Sequence, residues 1–260
     1  MLRPFAQVDV FTATPYLGNP VAVVLDAGGL STEQMQRFAR WTNLSETTFV
    51  LPSDAGDYRV RIFTPAQELP FAGHPTLGTC HAWLEAGGAA GDVIVQECEA
   101  GLIDVRRTEA GLAFAAPPLL RSGPVDESEV TELASLLGIA RADIVDAAWA
   151  DNGPGWVAVL LRDAAAVQAL PTGPYDRVVG VAGFHPDGTL EVRAFAPGMA
   201  EDPVTGSLNA SLAQWLLGSG RISAPYVARQ TTGRVQVSVD AGEIWVGGGT
   251  VTCVSGTVEL

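Results

Sequence analysis

Apolar and polar positions along the chain predict many short strands and few helices. Alternating or wholly apolar runs predict strands at 5–12, 21–25, 47–51, 60–63, 93–97, 102–107 and 112–115, then at 144–149, 156–161, 193–195, 235–239, 243–247 and 251–254. Ser31, with Gln34 in the capping-box position, predicts the start of one helix. A short helix is expected at 128–137. Two mostly apolar runs, 75–85 and 208–217, each end at glycines and predict buried helices, so the pattern indicates an α+β fold.

The chain also repeats itself at a nearly constant spacing. VRIFTP, which begins at Val60, recurs as VRAFAP at Val192, 132 residues later. ELPFAGH, which begins at Glu68, recurs as EDPVTGS at Glu201, 133 residues later. Ala116-Pro117-Pro118 is the best boundary, so we predict lobes at 1–116, joined by the C-terminal strand 251–260, and at 117–250. A cleft between duplicated lobes is where we expect a site.

Composition narrows the class of protein. The net charge of −14, from 15 basic and 29 acidic residues, argues against nucleic acid and anionic membranes as partners. No apolar run approaches the ~18 residues of a membrane span. An odd number of cysteines without a signal peptide predicts a reducing cytoplasm. Neither the cysteines nor the histidines have a metal-ligand spacing, so no metal site is expected.

The two predicted buried helices begin at matching places in the repeat. Gly73 and His74 open the first, and Gly206 and Ser207 open the second, with Ser207 in the role of N-cap. Glycine lets a ligand approach the backbone N–H groups, and helix N-termini attract anions. Either start alone indicates ordinary capping, but the matched pair predicts a binding site for a small carboxylate.

Two carboxylates have no partner in the repeat. Glu46 stands where a loop enters an apolar strand, and its counterpart at a spacing of 132 is Val178. Partial burial would suit Glu46 to proton transfer, although a surface glutamate at a strand edge is the plainer interpretation. Asp202, opposite Leu69, either opens an Asp-Pro turn or binds a substrate amine or His74. Together with Ser207, these side chains form a candidate polar cluster in the expected cleft.

Five segments resemble the PhzF-like family of phenazine-biosynthesis-type isomerases: GNPVAVVLDA at 18–27, NLSETTFVL at 43–51, RIFTPAQELPFAGHPTLGT at 61–79, RAFAPGMAEDPVTGS at 193–207 and VTCVSGTVEL at 251–260. The resemblance implies the diaminopimelate-epimerase fold, with two pseudo-symmetric lobes, each a β-barrel-like sheet around a central helix. It implies a homodimer and an isomerase that needs no metal or organic cofactor.

The resemblance also assigns roles to residues. The catalytic positions correspond to Glu46 as the acid/base, His74, Asp202 and Ser207. Ser45, Gly73 and Gly206 correspond to substrate-binding positions.

Rival interpretations remain open at this point. Racemases of this fold use one cysteine per lobe, but Cys80 lies two turns into its helix, and Cys98 and Cys253 lie in strands. Hydrolytic or lyase chemistry at Glu46 is weakly supported, because no G-x-S-x-G segment or triad is present. A catalytically silent ligand-binding or interaction protein that retains the fold is the main alternative to an isomerase.

Overall fold

The first helix begins where the sequence predicts it. Helix α1, Thr32–Thr42, follows Ser31, whose hydroxyl accepts a hydrogen bond from the Gln34 N–H while the Gln34 side chain accepts one from the Ser31 N–H. Asn43, in the left-handed conformation, ends the helix. The predicted capping box is therefore confirmed. After Asn43 the chain enters the strand that begins at Glu46.

The structure, a computed structural model, describes residues 1–88, 91–197 and 201–260. Residues 198–200 of the motif RAFAPGMAEDPVTGS therefore lie outside the described residues. The chain divides into two units. We call Met1–Ala115 with Gly247–Leu260 the N-terminal unit, and Ala116–Val246 the C-terminal unit.

The N-terminal unit is a mixed sheet with two helices. Its strands are β1 Leu2–Val10, β2 Asn19–Val24, β3 Glu46–Leu51, β4 Tyr58–Phe63, β5 Glu68–Leu69, β6 Val93–Cys98, β7 Gly101–Thr108, β8 Gly111–Ala115 and β17 Thr250–Glu259, and its second helix is α2 Gly73–Glu85. The strands pair in the order β17-β1-β2-β3-β4-β6-β7-β8, with β5 also on β4. The pairs β2–β3 and β4–β6 are parallel and the others antiparallel.

Helix α2 is the centre of this unit. It packs against β1, β2, β3, β6, β8 and β17, and it is buried from Gly73 to Cys80. Gly78 explains how closely it approaches the sheet, because a Cβ there would lie 2.3 Å from Cγ1 of Val21 on β2. An apolar helix without a polar face suits this position, since strands cover it on several sides.

The C-terminal unit contains the remaining elements. Its strands are β9 Arg121–Pro124, β10 Ile144–Asp151, β11 Val157–Leu161, β12 Val179–Phe184, β13 Leu190–Phe195, β14 Tyr226–Gln230, β15 Gly233–Asp240 and, for its residues 243–246, β16 Glu243–Gly248. Its helices are α3 Glu127–Leu137, α4 Ala164–Gln168 and α5 Gly206–Gly218, with a 3-10 turn at Arg141–Asp143. Helix α5 is buried from Leu208 to Ala213 and packs against β10 and β15.

The repeat in the sequence corresponds to a repeat of elements within the units. From β1 to β7, neighbouring strands of the N-terminal sheet pair antiparallel, parallel, antiparallel, parallel and antiparallel, and β10 to β15 follow the same series. Helices α2 and α5 have 13 residues each and begin 133 residues apart. The predicted α+β class is confirmed.

Several elements have no counterpart in the predictions. They are β5, β9, β12, β14 and α4. Strand β12 has the sequence VGVAGF, in which glycine and alanine dilute the apolar pattern, and β14 has the sequence YVARQ, in which a buried glutamine breaks it. Pattern-based prediction misses such strands because their burial depends on neighbours distant in sequence.

Candidate active site

Glu46 is the first residue of β3, beside β2. It lies opposite Val21 in the parallel ladder, at the point where the chain leaves the loop after α1. Its side chain is 15% exposed, so the carboxylate is held largely inside the N-terminal unit. Ser45, directly before it, is half-buried in the same loop. The predicted loop-to-strand position of Glu46 is confirmed.

His74 is the second residue of α2 and lies beside Glu46. Its Nε2 is 3.3 Å from Oε2 of Glu46, and its side chain is 6% exposed. The imidazole also hydrogen-bonds the backbone of Pro20, which has only a carbonyl to offer, so His74 is the donor. Because Nε2 makes no hydrogen bond, the donor is Nδ1. Elements β2, β3 and α2 thus meet at this pair.

Burial sets the charge of this histidine. Desolvation lowers the pKa of His74 to about 3, although its hydrogen bond to Pro20 acts in the opposite direction. The ring is therefore neutral at pH 7, with its one proton on Nδ1. Its Nε2 lone pair points to the side of the ring on which Glu46 lies, which makes Nε2 an acceptor for a proton carried by that carboxyl group.

The start of α2 has no capping side chain. The N-cap is Ala72, which has no polar group, and Gly73 is the first helical residue. Pro75 is the third and brings no N–H. A helix N-terminus with a glycine and no capping side chain is suited to an anionic ligand.

In the C-terminal unit, Ser207 is not the N-cap that the sequence predicts. The N-cap is Thr205, Gly206 is the first helical residue, and Ser207 is the second. The Ser207 hydroxyl instead accepts a hydrogen bond from Nε1 of Trp156 at 3.1 Å, and Asn152 donates to its carbonyl at 2.9 Å. The predicted N-cap is wrong by two residues, because threonine and serine are both good capping residues in sequence.

Asp202 is fixed just before this helix. Its N–H donates to the carbonyl of Ala194 on β13 at 3.0 Å, and its Oδ2 accepts a hydrogen bond from the Thr205 hydroxyl at 2.7 Å. The preceding residue, Glu201, forms a bidentate pair with Arg193 at 2.5 and 2.9 Å. Asp202 is therefore anchored by an isolated bridge to Ala194, and the chain bends at Pro203 and Val204 before α5.

The structure thus brings the candidates together in two groups. Glu46 and His74 form one, with Ser45 and Gly73 adjacent in the chain, and Asp202, Gly206 and Ser207 lie along one segment of the C-terminal unit. The predicted approach of Asp202 to His74, and the cleft that would hold both groups, stay predictions.

Three further residues of this region escaped the sequence analysis: Trp156, Thr205 and Gln230. Gln230 carried a signal, since it lies 134 residues after Gln96, close to the spacing of the repeat. Both glutamines are fully buried.

Within 1–88, 91–197 and 201–260, no group of three or more His, Cys, Asp or Glu side chains could hold a metal ion. In the same ranges, no helix is long and apolar enough to cross a membrane.

The chain is similar to named isomerases. It is 38% identical over 227 residues to the trans-2,3-dihydro-3-hydroxyanthranilate isomerase of Pseudomonas aeruginosa, covering 82% of this chain and 79% of that one. It is also 34% identical to the antisense-enhancing sequence 1 protein of Schizosaccharomyces pombe, over 97% of each chain.

Solved structures show the same fold. A PhzF-family phenazine biosynthesis protein of Enterococcus faecalis superposes with a TM-score of 0.83 at 25% identity over all of both chains. A hydroxyproline epimerase of Agrobacterium vitis superposes with a TM-score of 0.64 at 15% identity, over 99% of this chain and 92% of that one, and shows the fold alone.

A family model described as phenazine biosynthesis-like protein (PhzC-PhzF) matches residues 8–256, nearly the whole chain. With the isomerase of P. aeruginosa among the relatives, the predicted enzyme class, an isomerase, is confirmed. The chain belongs to the phenazine biosynthesis-like (PhzC-PhzF) family.

Proposed function

We propose that this protein is a cofactor-independent isomerase in which Glu46 moves a proton between two carbons of a small, carboxylate-bearing substrate. The observation that carries the proposal is the buried His74 with the 15% exposed Glu46 3.3 Å away, in a chain of an isomerase family. A carboxylate with little access to water can exchange a proton with a carbon acid without losing it at once to solvent.

His74 has a specific part in this proposal. Its neutral ring presents the Nε2 lone pair, so it can accept a hydrogen bond from Glu46 when Glu46 carries the proton. The Pro20 carbonyl holds the proton on Nδ1 and thereby fixes the tautomer that makes Nε2 an acceptor. His74 therefore stabilises the intermediate state, in which the substrate has lost a proton and Glu46 has gained it.

The reaction balances without any added redox partner. Glu46 takes a proton from one carbon, the electron pair moves along the substrate as the double bond shifts, and Glu46 returns the same proton to another carbon. Substrate and product are then isomers and Glu46 ends as it began. One base on one side of the substrate suffices, in contrast to racemisation by two thiols.

The substrate is proposed to carry a carboxylate. Neither Ala72 nor Thr205 caps its helix with a side chain, so the starts of α2 and α5 are each suited to an anion. The compound named in the P. aeruginosa relative, trans-2,3-dihydro-3-hydroxyanthranilate, has such a group and is the first substrate to test. We propose catalytic roles for Asp202 and Ser207 and substrate contacts for Ser45, Gly73 and Gly206, on the family resemblance. A homodimer is proposed on the same basis.

The proposal is tested by replacing Glu46 with Gln, which keeps the shape but removes the base. Turnover of the dihydrohydroxyanthranilate, or of a carboxylic acid found by thermal-shift screening, should fall by about 100-fold or more, the usual scale for a positioned acid/base. The matched control is Glu85→Gln, the same change on the exposed last residue of α2, which should leave turnover unchanged.

Isotope transfer then distinguishes the mechanism from its rivals. In deuterated water, a shielded Glu46 should carry part of the substrate hydrogen directly into the product. A stereochemically inverted product labelled wholly from solvent would indicate two bases and overturn the proposal. Ligand binding without turnover across the screen would favour a catalytically silent binding protein instead.

A further inference from the structure

Gln230, the last residue of β14, uses its whole hydrogen-bonding capacity at the start of α5. Its Oε1 accepts from the Thr205 N–H at 3.0 Å and from Nδ2 of Asn209 at 3.1 Å. Its Nε2 donates to the Asp202 carbonyl and to the Thr205 hydroxyl, both at 2.9 Å. Two acceptor lone pairs and two N–H donors are all an amide has, so the side chain is fixed in one orientation.

Thr205 passes this constraint to the carboxylate of Asp202. Its hydroxyl accepts from Gln230 and, with its single proton, donates to Oδ2 of Asp202 at 2.7 Å. Because the Gln230 N–H already occupies one side of the Thr205 hydroxyl oxygen, the hydroxyl proton is directed to Asp202. The charged oxygen of Asp202 is thereby held by a donor that cannot turn away.

The N-terminal unit contains a related arrangement around Gln96. This buried side chain donates to the Thr76 hydroxyl at 2.9 Å and accepts from the Tyr58 hydroxyl at 3.0 Å, while Thr76 donates to the carbonyl of Ala72, the N-cap of α2. In each unit, a buried glutamine on the strand after the central helix thus binds the first turn of that helix. In the C-terminal unit, the Thr205 hydroxyl extends this arrangement to the carboxylate of Asp202.

We infer that Gln230 and Thr205 are positioning residues that fix the Asp202 carboxylate and the first turn of α5 for catalysis. The inference rests on the proposed function, in which Asp202 and Ser207 take part. Gln230 acts through the Thr205 hydroxyl and through the backbone of Asp202 and Thr205. Its four bonds set the approach of the chain into α5, which determines where Gly206 and Ser207 present their N–H groups.

The test uses Thr205→Val, which removes the hydroxyl at nearly constant volume, and Thr205→Ser, which restores it. The control is Thr79→Val, the same change at a buried threonine of α2 whose hydroxyl donates to Thr48 at 2.8 Å. Thr205→Val should lower kcat/KM by about 10- to 100-fold, the range for losing a hydrogen bond to a charged group. Thr205→Ser should recover most of that loss, and Thr79→Val should stay near wild type.

A second measurement does not depend on turnover. Hydrogen–deuterium exchange of the backbone amides at 202 and 205–208 should become faster in Gln230→Met and in Thr205→Val, and stay unchanged in Thr79→Val. If these amides exchange no faster in Gln230→Met and Thr205→Val than in wild type, the inference is overturned, even if no substrate is found. The inference would also be overturned if Thr205→Val had the kcat/KM of wild type, or if Thr205→Ser recovered none of the loss. The Glu46→Gln variant tests the proposed function separately.

Discussion

The buried imidazole of His74 predicts a specific loss of stability in mild acid. Its pKa is about 3 in the folded protein against 6.5 for the free side chain, because burial disfavours the charged ring. Between these two values the unfolded chain binds more protons at His74 than the folded one, so stability falls as the pH falls. From about pH 8 upward the ring is neutral in both states and contributes no pH dependence.

The size of the effect follows from the two pKa values. At pH 5 the unfolded side chain is almost fully protonated and the folded one almost fully neutral, which corresponds to about 2 kcal/mol of folding free energy lost relative to pH 8. Moving the folded pKa up by one unit changes this figure little, since pH 5 still lies above it. The full difference is reached only near pH 3, where many carboxylates also titrate.

The assay compares wild type with His74→Asn in urea at pH 8 and pH 5. His74→Asn removes the titrating group, so its free energy of unfolding should decline by about 2 kcal/mol less than that of wild type over this interval. Titration of the imidazole by NMR checks the same point directly, since only three histidines are present and single variants assign them. Equal declines in both proteins would refute the reasoning. So would an imidazole that titrates at or above pH 6.5, because His74 would then be a cation paired with Glu46.

Three further predictions concern packing, ion pairs and thiols. Gly78→Ala should destabilise the protein by about 1–3 kcal/mol, because the added Cβ would lie 2.3 Å from the Val21 side chain. Gly218→Ala is the control: a Cβ there meets no atom within 4 Å, so the melting temperature should stay nearly unchanged. Glu201→Gln should lower the melting temperature more than Glu68→Gln, and its loss of folding free energy should approach the ~3 kcal/mol of a broken buried pair. The reason is burial: the side chains of Arg193 and Glu201 are 10% and 17% exposed, whereas those of Arg61 and Glu68 are 20% and 27% exposed. The triple variant Cys80→Ala, Cys98→Ala, Cys253→Ala should keep its turnover, if it folds, even after treatment with a chelator. Burial raises the pKa of Cys80 to about 12, so no thiolate is present there. Loss of turnover would instead indicate thiol or metal catalysis.

The sequence predicts the central helices well and their surroundings less well. Runs that are apolar on every face can only be buried, so α2 and α5 follow from composition and from the glycines that end them. The repeat then predicts that the two helices play matching parts. Strands β12 and β14 escape because their burial comes from pairing with β11 and β13, which a local pattern does not contain.

The same limit applies to the candidate site. Glu46 was predictable because a charge at the entry of an apolar strand is unusual, and His74 because it stands beside a glycine at a helix start. The 3.3 Å approach of the two side chains depends on the parallel pairing of β2 with β3 and on the packing of α2, so only the structure reveals it. The sequence pattern fixes a helix start only to within one or two residues, so it places the N-cap at Ser207 whereas Thr205 holds that position.

Several positions that match in the duplication form the same structural contacts in both units. Arg61 with Glu68 and Arg193 with Glu201 form the same bidentate pair, and each arginine lies over a phenylalanine two residues on, at 5.1 and 4.9 Å.

The unmatched positions are the polar groups of the candidate site. Val178 stands at the place of Glu46, Leu69 at that of Asp202, and Ser207 at that of His74. A frame that tolerates valine and leucine at these places does not need a carboxylate there for folding. Burying a charged group without such a need carries a desolvation penalty, so a 15% exposed Glu46 supports the role that we propose for it.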